Sequence, residues 1–468
     1  MKPTLSLLTL CLLLTACNSP APRPDSGIVA PATWQSALAT QTVQDNRQWW
    51  TRFADPQLDA LIEQARLGSH DLAAAVARVR QARAAVTVAG GPLLPEVQAA
   101  GNASREKLLR GSGYTQLDAD SDNKAVDYFD ASLTASYEVD FWGGRAAAYN
   151  SARESLRASE FDQATVELTL LSAVASSYVQ VLALQEQSRI AELNLANAQH
   201  VLALVQTRFD AGSATALELA QQKSLVASQQ RQLPLIRQQA QEALIGLALL
   251  LGQPVQQVKI DRDGFDRLHW PQIGSGVPSE LLSRRPDIAR AEAQLAAADA
   301  DVKVARAAML PTLTLSVRLG SGADTASDTL RSPFYNLTAG LVAPIFNNGR
   351  LGAERDRARG RQEELLSTYR GAIVSGFADV EKALNGIDGI DHQRQWQDEE
   401  LQQAQRAFDI AESRYRAGAE DLLTVLETQR TLYAAQDLNV QLRLARLQAS
   451  VALYKALGGG WQIDAPVR

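Results

Sequence analysis

The chain has 468 residues, which is enough for two or three domains with a sizeable core. Its formal net charge of -6 argues against nucleic acid as a partner, because phosphate binding requires a basic surface. Hydrophobic residues make up 46% of the sequence and are mostly Ala, Leu and Val among Gln, Arg and Glu, a composition typical of long helices packed on helices.

The N-terminus carries a signal for export and lipidation. Lys2 precedes the apolar run LSLLTLCLLL, which is too short to span a membrane and has the layout of a secretory signal. LTAC, ending at Cys17, resembles the bacterial lipobox. We therefore predict a lipoprotein signal peptide at residues 1–16 and a covalent lipid on Cys17, with no other cofactor. Cleavage near Ala16 with an unmodified cysteine is the alternative. Asn18 stands where an inner-membrane retention signal has Asp, which favours the outer membrane.

After the signal, the sequence contains no further run of about 18 apolar residues, so no membrane-spanning helix is predicted in the mature chain. The only other cysteine, Cys11, lies in the removed segment. The mature chain is therefore expected to have neither a disulfide nor a free thiol.

One structural unit occurs twice in the chain. Three pairs of segments match in the same order in the two halves: Val88–Val97 with Val304–Leu313, Phe141–Arg145 with Phe346–Arg350, and Arg208–Gly252 with Arg414–Gly458. Self-similarity of this kind indicates a repeated structural unit. We predict two repeats, 58–252 and 285–458, each with a helix, two strands, a long helix, a tip turn and a return helix.

Each repeat contains a very long helix and a return helix of about half its length. The predicted helices are the long ones at 145–208 and 350–416, the return helices at 216–251 and 422–457, and one shorter helix before each strand pair, at about 58–88 and 286–309. At about 1.5 Å per residue, the first long helix extends roughly 95 Å. Gly386 and Gly389 favour a bend in the second long helix, and Pro234 predicts a kink in the first return helix.

The turns after the long helices have local signals of their own. Gly212 and Gly418 supply the left-handed residue that ends each long helix. Thr215 and Glu218 form a T-x-x-E capping box for the first return helix, and Asp421 is the N-cap of the second. Each turn is therefore predicted to be the tip of a helical hairpin.

Before each long helix the hydrophobic period changes to two. Apolar residues alternate with polar ones from Phe129 to Phe141 and again from Leu313 to Leu319. This pattern is typical of strands with one face in lipid and one in water. We predict two strands within 95–142 and two within 311–346. Four strands with open edges do not close a pore, but those of several chains together do. A soluble sandwich or a lid on the helices is the alternative.

No catalytic or metal-binding constellation stands out. The four histidines are dispersed through the sequence without ligand spacing: His70, His200, His269 and His392. There is no G-x-x-x-x-G-K-[ST] phosphate loop, so the chain does not drive transport with ATP by that route. We therefore predict that the chain has no catalytic residues, binds no metal and is not an enzyme.

Together these residues resemble the outer-membrane factor family, the TolC-like exit ducts of Gram-negative efflux and secretion systems, and the lipobox resembles its OprM/NodT-like lipoprotein branch. The most specific segments are SRRPDIARAEAQLAAA (Ser283–Ala298) and YKALGGGW (Tyr454–Trp461). The resemblance implies an α+β membrane protein: a homotrimer whose 12-stranded outer-membrane β-barrel continues into a 12-helix periplasmic α-barrel. Its remaining segments would be a lipidated tether that enters an equatorial region, an equatorial linker and a C-terminal equatorial tail, at 17–57, 253–284 and 459–468.

The resemblance also implies a function. The chain would be a passive gated duct, anchored in outer-membrane lipid and extending into the periplasm, that works with a periplasmic adaptor protein and an inner-membrane transporter of the RND or ABC type. Two alternatives stay open. One is the exit duct of a type I protein secretion system, and the other is a non-conducting, lipid-anchored coiled-coil bridge of the envelope.

The family narrows its periplasmic end near the second tip, where the matching residues are Leu423, Thr424, Glu427 and Arg430. Leu423, Glu427 and Arg430 share one helix face, and a three-fold axis would gather three Glu427 carboxylates into a ring. The family often has Asp at the position of Glu427, and TolC has a second Asp at that of Thr424. A strongly cation-binding double ring is therefore not expected. A solvated salt bridge between Glu427 and Arg430 is the alternative.

Two further groups of residues match family sites at the tips. Glu218 and Tyr415 match a latch that links neighbouring hairpins. Capping by Glu218 and helix packing by Tyr415 are the alternatives. The residues that match the adaptor-contacting segment are Arg208, Ala211, Gly212, Ser213, Arg414, Ala417, Gly418 and Ala419.

Overall fold

The computed structural model describes residues 26–36, 48–107, 125–261, 265–271, 273–274 and 276–461. The predicted lipidation site at Cys17 lies outside the described residues. The chain divides into two compact units. The strand unit comprises Met1–Ile28, Ala82–Leu156 and Ala291–Arg370. The hairpin unit comprises Val29–Gln81, Arg157–Arg290 and Gly371–Arg468.

The duplication is visible in the order and length of the elements. The α-helices of the described residues are α1 Pro56–Gly68, α2 His70–Gly90, α3 Gly144–Asp210, α4 Ala216–Leu250, α5 Pro278–Arg284, α6 Pro286–Ala307, α7 Arg350–Arg416 and α8 Leu422–Ala456. The strands are β1 Glu96–Glu106, β2 Val126–Val139, β3 Thr312–Ala323 and β4 Pro333–Val342. The long helices α3 and α7 have 67 residues each, and the return helices α4 and α8 have 35 each.

The long helix α7 is unbroken where the sequence favours a bend, at Gly386 and Gly389. A glycine lowers helix stability by about 1 kcal/mol relative to Ala, but tertiary packing outweighs this amount. The neighbouring Leu384 and Ile387 are buried in a cluster with residues of α8. The return helix α4 also continues through Pro234.

The single helix predicted at about 58–88 is wrong, because the structure has two helices there, α1 and α2. The helix predicted at about 286–309 is present as α6, and the short helix α5 precedes it within the predicted linker 253–284. Ser69 separates α1 from α2, and Arg285 separates α5 from α6; both residues have extended backbone. Arg285 precedes Pro286, whose ring disfavours a helical conformation in the residue before it. No proline follows Ser69, whose hydroxyl accepts from the Leu72 N–H at 3.4 Å at the start of α2.

The strand unit contains one antiparallel sheet in the order β1-β2-β3-β4. The register pairs Leu133 with Leu319 and Val317 with Leu337, so the apolar residues of neighbouring strands share a face. The outer edges of β1 and β4 have no strand partner among the described residues. They therefore carry unpaired backbone groups that another strand would satisfy.

A water-soluble sheet buries its apolar face, whereas the apolar face of this sheet is exposed. The apolar face is open, with Leu337 69% exposed, and its other exposed members are Val97, Leu133, Leu315, Val317, Leu319, Tyr335 and Leu341. On the polar face Asp130 is buried and accepts a hydrogen bond from Arg318 Nη2 at 2.8 Å. An exposed apolar face backed by a polar one is the pattern of a sheet whose outside meets lipid.

The core of the hairpin unit is built around aromatic side chains. Trp49 is fully buried and stacks on Tyr454 with ring centres 5.2 Å apart. The buried Tyr178 donates from its hydroxyl to Asp55 Oδ2 at 2.8 Å, while the other oxygen of Asp55 caps α1 by accepting from the Gln57 N–H. These contacts join the start of α1, the middle of α3 and the end of α8.

One helix among the described residues, α3, is long and apolar enough over part of its length to cross a membrane. By its length and composition, this helix contradicts the prediction that no membrane-spanning stretch follows the signal. This stretch is nevertheless packed inside the hairpin unit, where its buried residues include Leu170, Leu171, Val174, Val179, Val181 and Leu182. Its apolar character is explained by its place in the core.

Candidate functional site

Both tip turns lie in the hairpin unit and have the same backbone geometry. Gly212 has φ +73° and Gly418 has φ +77°, the left-handed conformation that glycine adopts without strain. In the first turn the Ser213 N–H donates to the Arg208 carbonyl at 2.8 Å, and the Gly212 N–H donates to the Phe209 carbonyl at 2.9 Å. This is the Schellman hydrogen-bond pattern, which satisfies the free carbonyls at a helix C-terminus.

The return helices begin with different caps. The Thr215 hydroxyl accepts from the Glu218 N–H at 3.2 Å while a Glu218 oxygen accepts from the Thr215 N–H at 2.5 Å, so the capping box is formed. In the second repeat Asp421 Oδ1 accepts from both the N–H and the hydroxyl of Thr424, each at 2.9 Å. These hydrogen bonds lower the pKa of the Asp421 carboxyl. Each cap fixes the angle at which its return helix leaves the turn.

The gate residues inferred from the sequence lie on the first turns of α8. Leu423 is 55% exposed, Glu427 and Arg430 are exposed, and Thr424 is half-buried. Neither Glu427 nor Arg430 forms an ion pair with any residue that the structure describes, so the local salt bridge is not formed. The opposite face of α8 is packed, and its buried residues are Leu422, Val425, Leu426 and Tyr433. The helix thus presents Leu423, Glu427 and Arg430 on its open side.

The latch residues are not bonded to one another within the chain. Glu218 Oε2 accepts from both the N–H and the hydroxyl of Thr215. The buried Tyr415 hydroxyl has no hydrogen-bond partner among the described residues. Burial and the nearby charge of Glu218 raise the pKa of Tyr415, against an opposing effect of Arg208. The latch between neighbouring hairpins stays a prediction.

Most residues inferred to contact an adaptor are open to solvent. The exposed ones are Ala211, Gly212, Ser213, Arg414, Ala417, Gly418 and Ala419. Arg208 differs from them, because it is half-buried and its guanidinium lies 4.5 Å from the centre of the Tyr415 ring. This contact was not predicted from the sequence.

Sequence reasoning also missed a layer of buried polar side chains inside the hairpins. Gln222 and Gln429 are fully buried, and Gln222 Nε2 donates to the Ala198 carbonyl at 2.9 Å. The Tyr433 hydroxyl donates to the Asn194 carbonyl at 3.0 Å. The sequence signal for these buried polar residues was glutamine at helical spacing from leucines that are buried. Among the described residues no group of three or more His, Cys, Asp or Glu could hold a metal ion.

A comparison with known protein families identifies the family of this chain. The sequence matches the family described as outer membrane efflux protein over residues 61–253 and 277–459, one segment for each repeat. The chain belongs to this family. The resemblance to TolC-like outer-membrane factors is therefore confirmed, and so are the location in the outer membrane and the role as an outer-membrane channel component of an efflux or export system.

Individual proteins of the family are similar along nearly their whole length. The pyoverdine export outer membrane protein OpmQ of Pseudomonas aeruginosa is 68% identical over 98% of this chain and 97% of its own. The cation efflux system protein CusC of Escherichia coli is 32% identical over 89% of each chain. The solved structure of the outer-membrane channel OprN superposes with a TM-score of 0.87 and 26% identity, and the match covers 95% of this chain and 99% of that one. The expected fold class, an outer-membrane β-barrel continuing into a long helical barrel, is confirmed.

Proposed function

We propose that three copies of the chain assemble around one axis into a passive, gated duct that exports small molecules. The observation that carries this proposal is the sheet of the strand unit, which has an exposed apolar face, a polar face and two open edges. An open edge is not stable in lipid, because its backbone groups find no water there. Pairing of β4 in one copy with β1 in the next removes every edge and encloses the polar faces.

The energy for transport would come from partner proteins. The sequence has no phosphate loop, and we infer that the chain is not an enzyme but a conduit. A periplasmic adaptor would bind the exposed tip turns, and an inner-membrane transporter of the RND or ABC type would supply energy and selectivity. Adaptor contacts would bias the tip hairpins between a closed and an open arrangement.

Similarity to a named exporter supports a proposal for the substrate class. OpmQ, with 68% identity, is described as a pyoverdine exporter, and we infer that this chain also exports a siderophore. Deletion of the gene should lower the amount of siderophore in the medium and raise it in the periplasm. Unchanged extracellular siderophore would contradict this assignment. Co-purification with a protein-secretion transporter would favour the type I alternative.

Conduction is tested with purified protein in planar lipid bilayers. We expect stable, stepwise ion currents from the wild-type chain. Their absence, even in variants with a weakened tip, would support a non-conducting envelope bridge instead.

The combined change Glu427→Ala and Arg430→Ala tests the gate. We expect leak conductance to rise several-fold, because the charged side chains on the open face of α8 would no longer meet around the axis. Sensitivity to large antibiotics should rise with it. The matched control is Gln221→Ala with Ser224→Ala, at the corresponding positions of the first return helix. Equal leakage from the two double variants would remove Glu427 and Arg430 from the gate.

The change Cys17→Ser tests lipidation. We expect incorporation of labelled palmitate to be abolished, because the Cys17 thiol is the group to which the lipid is attached, whereas the barrel still holds the protein in the membrane. Cys11→Ser is the control and should label normally, since Cys11 lies in the removed signal. Labelling that persists in Cys17→Ser would disprove the lipobox interpretation.

A further inference from the structure

Equivalent arginines at the two tip turns make different contacts. Arg414 stays within its own turn, where its Nε donates to Glu420 Oε2 at 3.1 Å and its Nη2 donates to the Ala419 carbonyl at 3.3 Å. Arg208, at the matching position of the first turn, reaches the second turn instead. Its Nη1 donates to the Tyr415 carbonyl at 2.8 Å, and its Cζ lies 4.5 Å from the centre of the Tyr415 ring.

Tyr415 offers this arginine two complementary groups. Its carbonyl lies in the last turn of α7 and accepts from the Gly418 N–H at 2.9 Å, which leaves a second lone pair for Arg208. A cation is also favoured at the negative end of the helix dipole. Its ring is 1% exposed, so the cation–π contact is largely shielded from water. Phe209, the counterpart of Tyr415 in the first turn, is 37% exposed, and no cation lies over its ring in the described part of the chain.

We propose that Arg208 clamps the two tip turns of one protomer together and thereby stabilises the closed tip of the duct. The proposal rests on the gated duct proposed above. Arg208 is a positioning residue: it holds the end of α7, and α7 leads through the second tip into α8, which carries Leu423, Glu427 and Arg430. The clamp uses the ring and the carbonyl of Tyr415 and leaves its hydroxyl unbonded.

The family resemblance places Arg208 among the residues that contact the adaptor, and this arrangement gives it a different role within the chain. A half-buried guanidinium held by a carbonyl and a ring is occupied within the chain. Loss of Arg208 should therefore loosen the tip in the absence of any adaptor. Arg414, which is exposed and held only within its own turn, should have no such effect.

The test compares Arg208→Gln with Arg414→Gln in the full-length purified protein. In planar bilayers without adaptor we expect the open probability of Arg208→Gln to rise about tenfold, as the loss of one shielded cation–π contact and one charged hydrogen bond would produce. Arg208→Lys, which keeps a cation, should lie between the wild type and Arg208→Gln. Tyr415→Phe keeps both groups that Arg208 contacts, so hydrogen exchange in the last turn of α7 should be the same in this variant as in the wild type.

Hydrogen exchange provides a readout that does not depend on conduction. The last turn of α7 should exchange about tenfold faster in Arg208→Gln than in the wild type and remain unchanged in Arg414→Gln. Equal exchange in the two variants would overturn the clamp, and so would an equal open probability of the two variants. If no variant and no wild-type protein conducts, the duct itself is disproved, and the exchange experiment still decides the clamp.

Discussion

Replacement of Gly252 or Gly458 by Ala is expected to destabilise the hairpin unit by about 3 kcal/mol in each case. Both glycines follow a return helix and have positive φ, +68° and +91°. A Cβ at Gly252 would lie 2.1 Å from the Gly68 carbonyl oxygen, and one at Gly458 would lie 2.0 Å from the Arg284 carbonyl oxygen. Because the obstructing atoms belong to the backbone, no side-chain rotation relieves the overlap. The measurements are the midpoint of thermal loss of helical circular dichroism and the yield of assembled protein from membranes.

Gly246→Ala is the matched control for these substitutions. Gly246 lies inside α4, and a Cβ there would meet no atom within 4 Å. Alanine in a helix interior is better than glycine by up to about 1 kcal/mol, so this variant should be as stable as the wild type or slightly more stable. Wild-type stability of Gly252→Ala or Gly458→Ala would show that the end of the return helix does not pack against the end of α1 or α5 as described.

The change Arg285→Met is expected to destabilise the same unit by about 3 kcal/mol. Arg285 is 8% exposed and donates to Asp287 Oδ2 at 2.7 Å, to Asp379 Oδ2 at 3.0 Å and to the Ala456 carbonyl at 3.1 Å. Methionine fills much of the space but removes the hydrogen bonds that Arg285 donates to these three residues. This value is at the lower end of the destabilisation that follows when a buried ion pair loses one partner, because both carboxylates are partly exposed to water.

A neighbouring arginine supplies the control for this experiment. Arg284 pairs with Glu280 at 2.9 Å on the surface of α5, and exposed pairs of this kind contribute less than about 1 kcal/mol. Arg284→Met should therefore shift the thermal midpoint only slightly. An equal shift in the two variants would mean that Arg285 contributes no more than a surface ion pair.

The contacts of Arg285 also make the stability of the hairpin unit depend on pH. Burial opposes ionisation of Asp287, but the hydrogen bonds and charge of Arg285 outweigh it and lower the pKa of Asp287. A carboxyl whose pKa is lower in the folded state stabilises the fold above its unfolded pKa of about 4, and this contribution disappears as the pH falls through the folded value. The stability difference between wild type and Arg285→Met should therefore narrow on acidification below about pH 4, which thermal melts at several pH values would reveal. A difference that widened below that pH would contradict the ion pair.

The sequence by itself determined the features that depend on nearby residues. The duplication is visible as matching segments of the sequence. The turns at Gly212 and Gly418 and the capping box of Thr215 with Glu218 are set by residues a few positions apart. Alternation along the strands also predicted which faces are apolar. Such signals are local because capping hydrogen bonds and side-chain periodicity are properties of one segment of chain.

Only the tertiary structure decided how distant segments meet. Arg208 and Tyr415 are 207 positions apart, and neither has a local feature that selects the other. The break at Ser69 lies beside the close approach of Gly68 to Gly252, and α7 stays helical across its glycines where buried neighbours hold it. In α7 the contacts between elements outweigh a local preference of about 1 kcal/mol for each glycine. In all three cases the identity of the contact is fixed only when the helices pack.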